Sequence, residues 1–190
     1  MAQTDVSLAV SKLIEEFRKA GAPPAEQDFN RLAAQISNGF KAKKDEVAIL
    51  RLSPDGKVLN FLFPIRLAVV GAIPVTTEHS LAAKTIRQKQ GELVNDFAAY
   101  KHPTVFEAIK LSEQEKATPI QKIMSSPMIV DGNVMGVIQI SRKGYPGEKV
   151  GPDFTPADLD KLGTVGTILG KFLAAFPPAP LASPRSPSKD

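Results

Sequence analysis

The residues best equipped for chemistry in this chain are few, and most are neutral. Asn95-Asp96-Phe97 sets two hydrogen-bonding side chains beside a flat ring. Such a group can hold a polar ligand and stack on it, or it can close a turn over a core phenylalanine. Ser125, Ser126 and Gln139 are polar residues inside two runs rich in Ile, Val and Met. Buried hydroxyls and amides need partners, which backbone, water or a ligand can supply. His79 and His102 are the only histidines, and there is no cysteine. Thiolate nucleophiles, disulfides, Cys-ligated zinc and thioether-linked cofactors are therefore excluded, and no metal site is expected. No serine sits in a nucleophile-elbow sequence. These features specify no catalytic residue and no cofactor.

The polar residues lie in the stretch around which the chain is organised, PIQKIMSSPMIVDGNVMGVIQISRKG (119–144). Asp131-Gly132 between apolar runs predicts a tight hairpin, because a type I′ turn needs positive φ at both central residues. A two-residue loop pairs Val130 with Asn133. An uninterrupted register then puts Ile123, Ser125, Pro127 and Ile129 on one face with Val134, Gly136, Ile138 and Ile140. Met124, Ser126, Met128 and Val130 share the other with Met135, Val137 and Gln139. Both faces are apolar enough to be covered. The Ser126, Met128 and Gln139 side is the more polar. Pro127 cannot donate to a ladder and belongs at an edge, a bulge or a locally opened part of the strand.

Around this hairpin the periodicities predict helices over 5–20 and about 26–43, and a first hairpin from strands 47–52 and 58–63. One more extended segment is expected within 64–79. A helix over 81–90 follows, capped by Ser80 and ended by Gly91, then a short strand at 92–94 and a short helix at about 104–111. The last helix starts at Thr155-Pro156 and runs to about Phe176. Asp158 stands where a capping box has Glu or Gln, so only part of that motif is expected. Its Leu162, Val165, Leu169, Phe172 and Phe176 form a short heptad seam. Gly163, Gly166 and Gly170 lie beside the seam, where they would admit a second helix or serve only the chain's own sheet. The closing PPAPLASPRSPSKD (177–190) reads as a disordered tail. The organisation is thus 1–27 as N-terminal helix and linker, 28–176 as the folded domain, and the tail.

With 43% hydrophobic residues, the 190-residue chain can bury a real core. A net charge of +4, from 24 basic and 20 acidic residues spread along the sequence, gives little reason to expect a nucleic-acid partner. No stretch reaches the roughly 20 apolar residues of a membrane span, and no signal peptide is visible. A cytoplasmic protein is the expectation.

Four segments resemble the GAF domain family: VAILRLSPDGKVL (47–59), SLAAKTIRQKQGELVND (80–96), SSPMIVDGNVMGVIQIS (125–141) and DFTPADLDKL (153–162). Together they span about residues 28–174. The resemblance implies an α+β fold: a central antiparallel sheet, helices from both ends of the chain on one face, and a pocket covered by loops and short helices on the other. It implies a lid over 64–118 and a pocket wall at Asn95, Asp96 and Phe97; the more polar hairpin side, with Ser126, Met128 and Gln139, is expected to floor that pocket and contact the ligand. It also implies a non-catalytic sensory or ligand-binding module that binds a small molecule, pairs as a homodimer and signals through its terminal helices. A ligand-free structural or dimerisation module is the alternative. The family's methionine sulfoxide reductases and bilin photoreceptors depend on cysteines that this chain lacks. Its Asn-Lys-x-x-x-Phe-x-x-x-Asp-Glu pattern of cyclic-nucleotide modules is not found, and no sequence around either histidine supports a haem.

Overall fold

The computed structural model of the chain describes residues 5–68, 71–97 and 118–176. The expected helix over 104–111, His102 and the tail lie outside the described residues. Helix α1 (Val6–Ala20) starts where the Asp5 carboxylate accepts from the Ser7 N–H, and ends at Gly21 in the left-handed conformation. Helix α2 (Glu26–Gly39) is shorter than its periodicity predicts. Lys41 turns to φ 51°, and a 3₁₀ turn over Lys44–Glu46 then leads into the sheet. The buried Glu46 carboxylate accepts from the backbone of both Lys43 and Lys143, at 2.7 Å each, and so fixes that turn to the sheet.

Strands β1 (Val47–Leu52) and β2 (Val58–Phe63) form the first hairpin. Within 64–79 the described residues hold a single helical turn, α3 (Ile65–Ala68), and then the one extended segment expected there, the two-residue strand β3 (Ile73–Pro74). Helix α4 (Leu81–Gln88) is capped by Ser80 as expected, but Lys89 supplies the left-handed terminus at φ 52°. Gly91 instead lets the side chain of Leu159 come close: an added Cβ would sit 3.2 Å from Leu159 Cδ1. After β4 (Glu92–Val94) come the long strands β5 (Ile120–Val130) and β6 (Asn133–Lys143), and then helix α5 (Pro156–Ala175). The six strands form one antiparallel sheet in the order β3-β2-β1-β6-β5-β4. This is the expected α+β architecture. No helix among the described residues is long and apolar enough to cross a membrane.

The central hairpin turns at Asp131 (φ 50°) and Gly132 (φ 78°), and Val130 pairs with Asn133. Its register departs from the simple expectation one step later. Ile129 pairs with Val134, but Met128 pairs with Gly136, leaving Met135 as an extra residue. A bulge of this kind flips every side chain beyond it to the other face relative to its partners. Ser126 therefore stands opposite Ile138, and Ser125 opposite Gln139. Pro127 pairs with Val137 of β6 but lies where β4 has ended, since β4 reaches only to Ser125, so β4 asks it for no ladder bond.

One sheet face carries Val47, Ile49, Met124, Met128, Ile138 and Ile140 into a single core with the apolar stripes of α1, α2 and α5. Helix α1 packs on α2 and α5, with the Phe17 and Phe172 rings 6.0 Å apart. The heptad seam of α5 is buried in this core: Leu162, Val165, Leu169 and Phe172 show no exposed surface. The glycines beside it face β5. An added Cβ at Gly166 would stand 3.2 Å from the Pro127 carbonyl oxygen, and one at Gly170 would stand 3.0 Å from Val130. They admit the chain's own sheet. The opposite face carries Leu50, Leu59, Phe61 and Val137 against Leu67, Ile73, Ala82, Ala83 and Ile86.

The start of α5 is held by a complete reciprocal box. Thr155 Oγ1 accepts from Asp158 N at 3.2 Å, and Asp158 Oδ2 accepts from Thr155 N at 2.9 Å. The shorter Asp arm thus reaches where Glu or Gln was expected. Partial burial raises the Asp158 pKa, but the two bonds from Thr155 together with the charges of Lys161 and Arg142 outweigh it and leave the net shift downward. A carboxyl with a lowered folded pKa contributes stability in full above its unfolded value, about 3.9, and loses it as pH falls through the folded value. Asp158→Ala should lower stability by about 1 kcal/mol at neutral pH, and in urea titrations that deficit should vanish as the pH drops below the carboxylate range. Gly136 tests the sheet. A Cβ there would fall on the Leu50 carbonyl and the Met128 methyl. Gly136→Ala should cost about 3 kcal/mol in the same assay, whereas Gly132→Ala, with open space but φ 78°, should cost about 1 kcal/mol.

Candidate ligand-binding face

The bulge separates the expected pocket residues. Gln139 lies on the α4 face, paired across the ladder with Ser125. Ser126 and Met128 lie on the opposite face, under α5: Ser126 Oγ would be 3.7 Å from a Cβ at Gly166, and Met128 belongs to the terminal-helix core. Assigning all three to one pocket floor is thus corrected by a single inserted residue. Ser125, not Ser126, is the serine beside Gln139.

Three buried polar side chains meet on the α4 face. Gln139 Nε2 donates to Ser125 Oγ at 3.1 Å, and Ser125 Oγ lies 2.7 Å from Thr85 Oγ1. Thr85 Oγ1 donates to the Leu81 carbonyl at 2.8 Å, within α4. All three residues are buried, with Ser125 at 0%, Thr85 at 1% and Gln139 at 6% exposure. Next to them Val137, Leu50 and Phe61 extend the sheet surface, and Ala82, Ala83 and Ile86 come from α4. These neighbours carry no charge. Helix α4 is also tied to β4, since both Glu92 carboxylate oxygens approach Lys84 Nζ, at 2.8 and 2.6 Å. Thr85 is the functional candidate that sequence reasoning missed. Its signal was a hydroxyl within the apolar stripe Leu81, Ala82, Thr85, Ile86, on a helix expected to face the sheet.

Asn95, Asp96 and Phe97 were expected together at a pocket wall, and their placements differ. The Asn95 side chain is engaged at both ends: Nδ2 donates to the Phe154 carbonyl and Oδ1 accepts from the Phe154 N–H, each at 2.9 Å. It works as a clasp between the end of β4 and the start of α5. Asp96 is exposed, and Phe97, half-buried, donates its backbone N–H to the Gln121 carbonyl at 2.8 Å. Phe97 leads directly into residues 98–117.

The clasp belongs to a larger junction centred on Arg142. This buried guanidinium donates to the carbonyls of Pro152 (3.0 Å), Lys41 (3.1 Å) and Phe40 (3.5 Å), and lies 4.6 Å from the centroid of the Phe154 ring. It neutralises the carbonyl end of α2, where a cation is favoured by the helix dipole, and covers Phe154 by cation–π contact. Arg51 serves the end of α5 in the same way, donating to the Leu173 carbonyl at 3.0 Å, and burial lowers its pKa. Burial is also the main cause that lowers the Lys143 pKa, against the opposing pull of Asp45. Among the described residues no group of three or more His, Cys, Asp or Glu could hold a metal ion, and His79 is exposed.

The GAF domain family model matches residues 25–173, and the chain belongs to that family. No curated protein matches its sequence at a significant level. Among solved structures it is similar to the GAF domain of an Acinetobacter phosphoenolpyruvate-protein phosphotransferase, with TM-score 0.66, 15% identity, and 91% of this chain and 93% of that one covered. It is similar to the corresponding Coxiella burnetii domain, with TM-score 0.63, 14% identity, and 92% and 96% covered. It also resembles the free methionine-R-sulfoxide reductase of Neisseria meningitidis, with TM-score 0.59, 16% identity, and 91% and 89% covered. At these identities the likeness is one of fold.

The clasp is open to test. Asn95→Ala removes two hydrogen bonds at a half-buried junction and should cost about 2 kcal/mol in urea unfolding. Backbone amide spectra should change around Phe154 and α5 and stay unchanged at Val137 and Gln139.

Proposed function

We propose that the protein is a non-catalytic sensory module that binds a small molecule against the α4 face of its sheet. The observation that carries this reading is Gln139. It is buried in an apolar surface with one amide hydrogen on Ser125, and its remaining amide functions make no hydrogen bond among the described residues. The opposite face is filled by three helices. In this reading Gln139 anchors the ligand, and Asp96 and Phe97, where the chain leaves β4, border it. Ser126 and Met128 belong to the output side instead. The absence of cysteine removes any thiol route to sulfoxide reduction, which sets the chain apart from its reductase neighbours. It also suits a reducing compartment such as the cytoplasm.

Output would pass through protein–protein contact of α1 and α5. Their apolar stripes are occupied within the chain, so a homodimer through these helices would use their outer faces, where Leu8 is half exposed. A structural module with no ligand is the second reading. It is favoured by Leu67, Ile73, Ala83 and Ile86, which already fill much of the α4 face. Native mass spectrometry of the purified full chain separates the two. The sensory reading expects a non-protein mass that is lost on denaturation, or a melting point raised by several degrees in a metabolite screen, as ligand at 100 times its Kd adds about 2.7 kcal/mol. A bare chain mass together with a flat screen would favour the structural module.

A further inference from the structure

We infer that the α4 face selects a neutral ligand whose edge carries a hydrogen-bond donor beside an acceptor, as in a carboxamide or lactam, with Gln139 as the residue that reads it. This rests on the ligand-binding reading above and adds the chemistry of the ligand to it.

The direction assigned to the hydrogen-bonded chain decides which way Gln139 points. A helical threonine commonly returns its one hydroxyl hydrogen to the i−4 carbonyl, and we assign that of Thr85 to the Leu81 carbonyl, 2.8 Å away. The 2.7 Å contact between Thr85 Oγ1 and Ser125 Oγ then needs its hydrogen from Ser125. Ser125, having given its only hydrogen away, can meet Gln139 only as an acceptor, so the amide nitrogen must face it, at 3.1 Å. With the hydrogen assigned in this way, turning the amide over would bring two oxygens together with no hydrogen between them. Oε1 and the second Nε2 hydrogen are therefore the ends left over, and neither makes a hydrogen bond among the described residues.

A buried amide end without a partner is costly, and the cost is relieved by a group that supplies both halves of the match. The geometry asks for one donor to Oε1 and one acceptor for N–H, side by side, which is the edge of another amide. The apolar cluster of this face, Leu50, Phe61, Val137, Ala82 and Ala83, supplies no cation of its own, and Lys84 of α4 is paired with Glu92. An anionic ligand would lose its hydration there without gaining a counter-charge. A ketone would satisfy the N–H and leave Oε1 bare.

Benzamide, benzoate and acetophenone, three probes of one shape, test this by ¹⁵N NMR titration of the full-length protein at millimolar concentration. Benzamide should shift the Gln139 side-chain amide and the backbone signals of Phe61 and Val137, with a Kd at least about tenfold below those of the other two. Gln139→Met keeps the side-chain length and removes both functions. In that variant the three probes should bind alike. Equal shifts of the wild-type face by all three would overturn the inference while leaving the ligand-binding reading intact. Failure of all three to shift the face would overturn it too, and native mass spectrometry then judges the ligand-binding reading by itself. If the variant does not fold, the wild-type comparison still decides.

Discussion

The extra residue at Met135 governs the rest of this structure. Without it the hairpin would put Ser126, Met128 and Gln139 on one surface, and a glutamine would lie under the terminal helices or two core residues would face α4. With it, Met128 and Ile138 enter the core with α5, and Gln139 turns away to join Ser125. Gly136, next to the bulge, is the residue that makes the displacement possible, since the β1 carbonyl of Leu50 and the Met128 methyl occupy the space a side chain would need. A local irregularity of one residue thereby divides a hairpin that is apolar on both sides into a structural surface and a candidate binding surface.

Holding those surfaces apart falls to polar groups that sequence periodicity does not reveal. Arg142 gathers three carbonyls and the Phe154 ring, and Asn95 grips the Phe154 backbone from the other side. The loop between β6 and α5 is thereby tied to the end of α2 and to β4. A buried guanidinium needs several partners to offset its desolvation, and here the carbonyls at the end of a helix provide them. The glycines of α5 complete the arrangement by letting that helix lie directly on β5.

The elements were legible in the sequence wherever periodicity and punctuation agreed: α1 between Asp5 and Gly21, the two hairpins at Asp55-Gly56 and Asp131-Gly132, and α5 behind Thr155-Pro156. The family resemblance supplied the two-sided architecture. The face of Ser126 was not legible, because a strict period of two carries no mark of a bulge and Gly136 is as compatible with a plain strand as with a crowded one. The role of Asn95 was not legible either. Its partner, Phe154, lies 59 residues away, and an Asn-Asp pair in a loop looks the same whether it holds a ligand or a neighbouring backbone. Lys89 took the left-handed backbone where Gly91 was the expected terminator, and Lys41 took it inside the stretch expected to be helix, since tertiary contacts decide helix ends as much as propensity does.

The two surfaces share one backbone, which bears on how a ligand at Gln139 would be felt elsewhere. Gln139 lies between Ile138 and Ile140, both buried in the helix-side core, and its ladder partner Ser125 lies between Met124 and Ser126 on the same terms. A shift of the strand that improves a hydrogen bond at Gln139 moves Ile138 and Ser126 toward or away from α5. There the glycines leave no compressible layer: Gly166 and Gly170 sit against the backbone of Pro127 and Met128. Packed interfaces of this kind respond by repacking and not by gradual deformation. Coupling between the faces therefore requires that α5 have a second seating on β5, and the small residues at 163, 166 and 170, spaced three and four apart along one side of the helix, are where such a re-seating meets the least steric resistance.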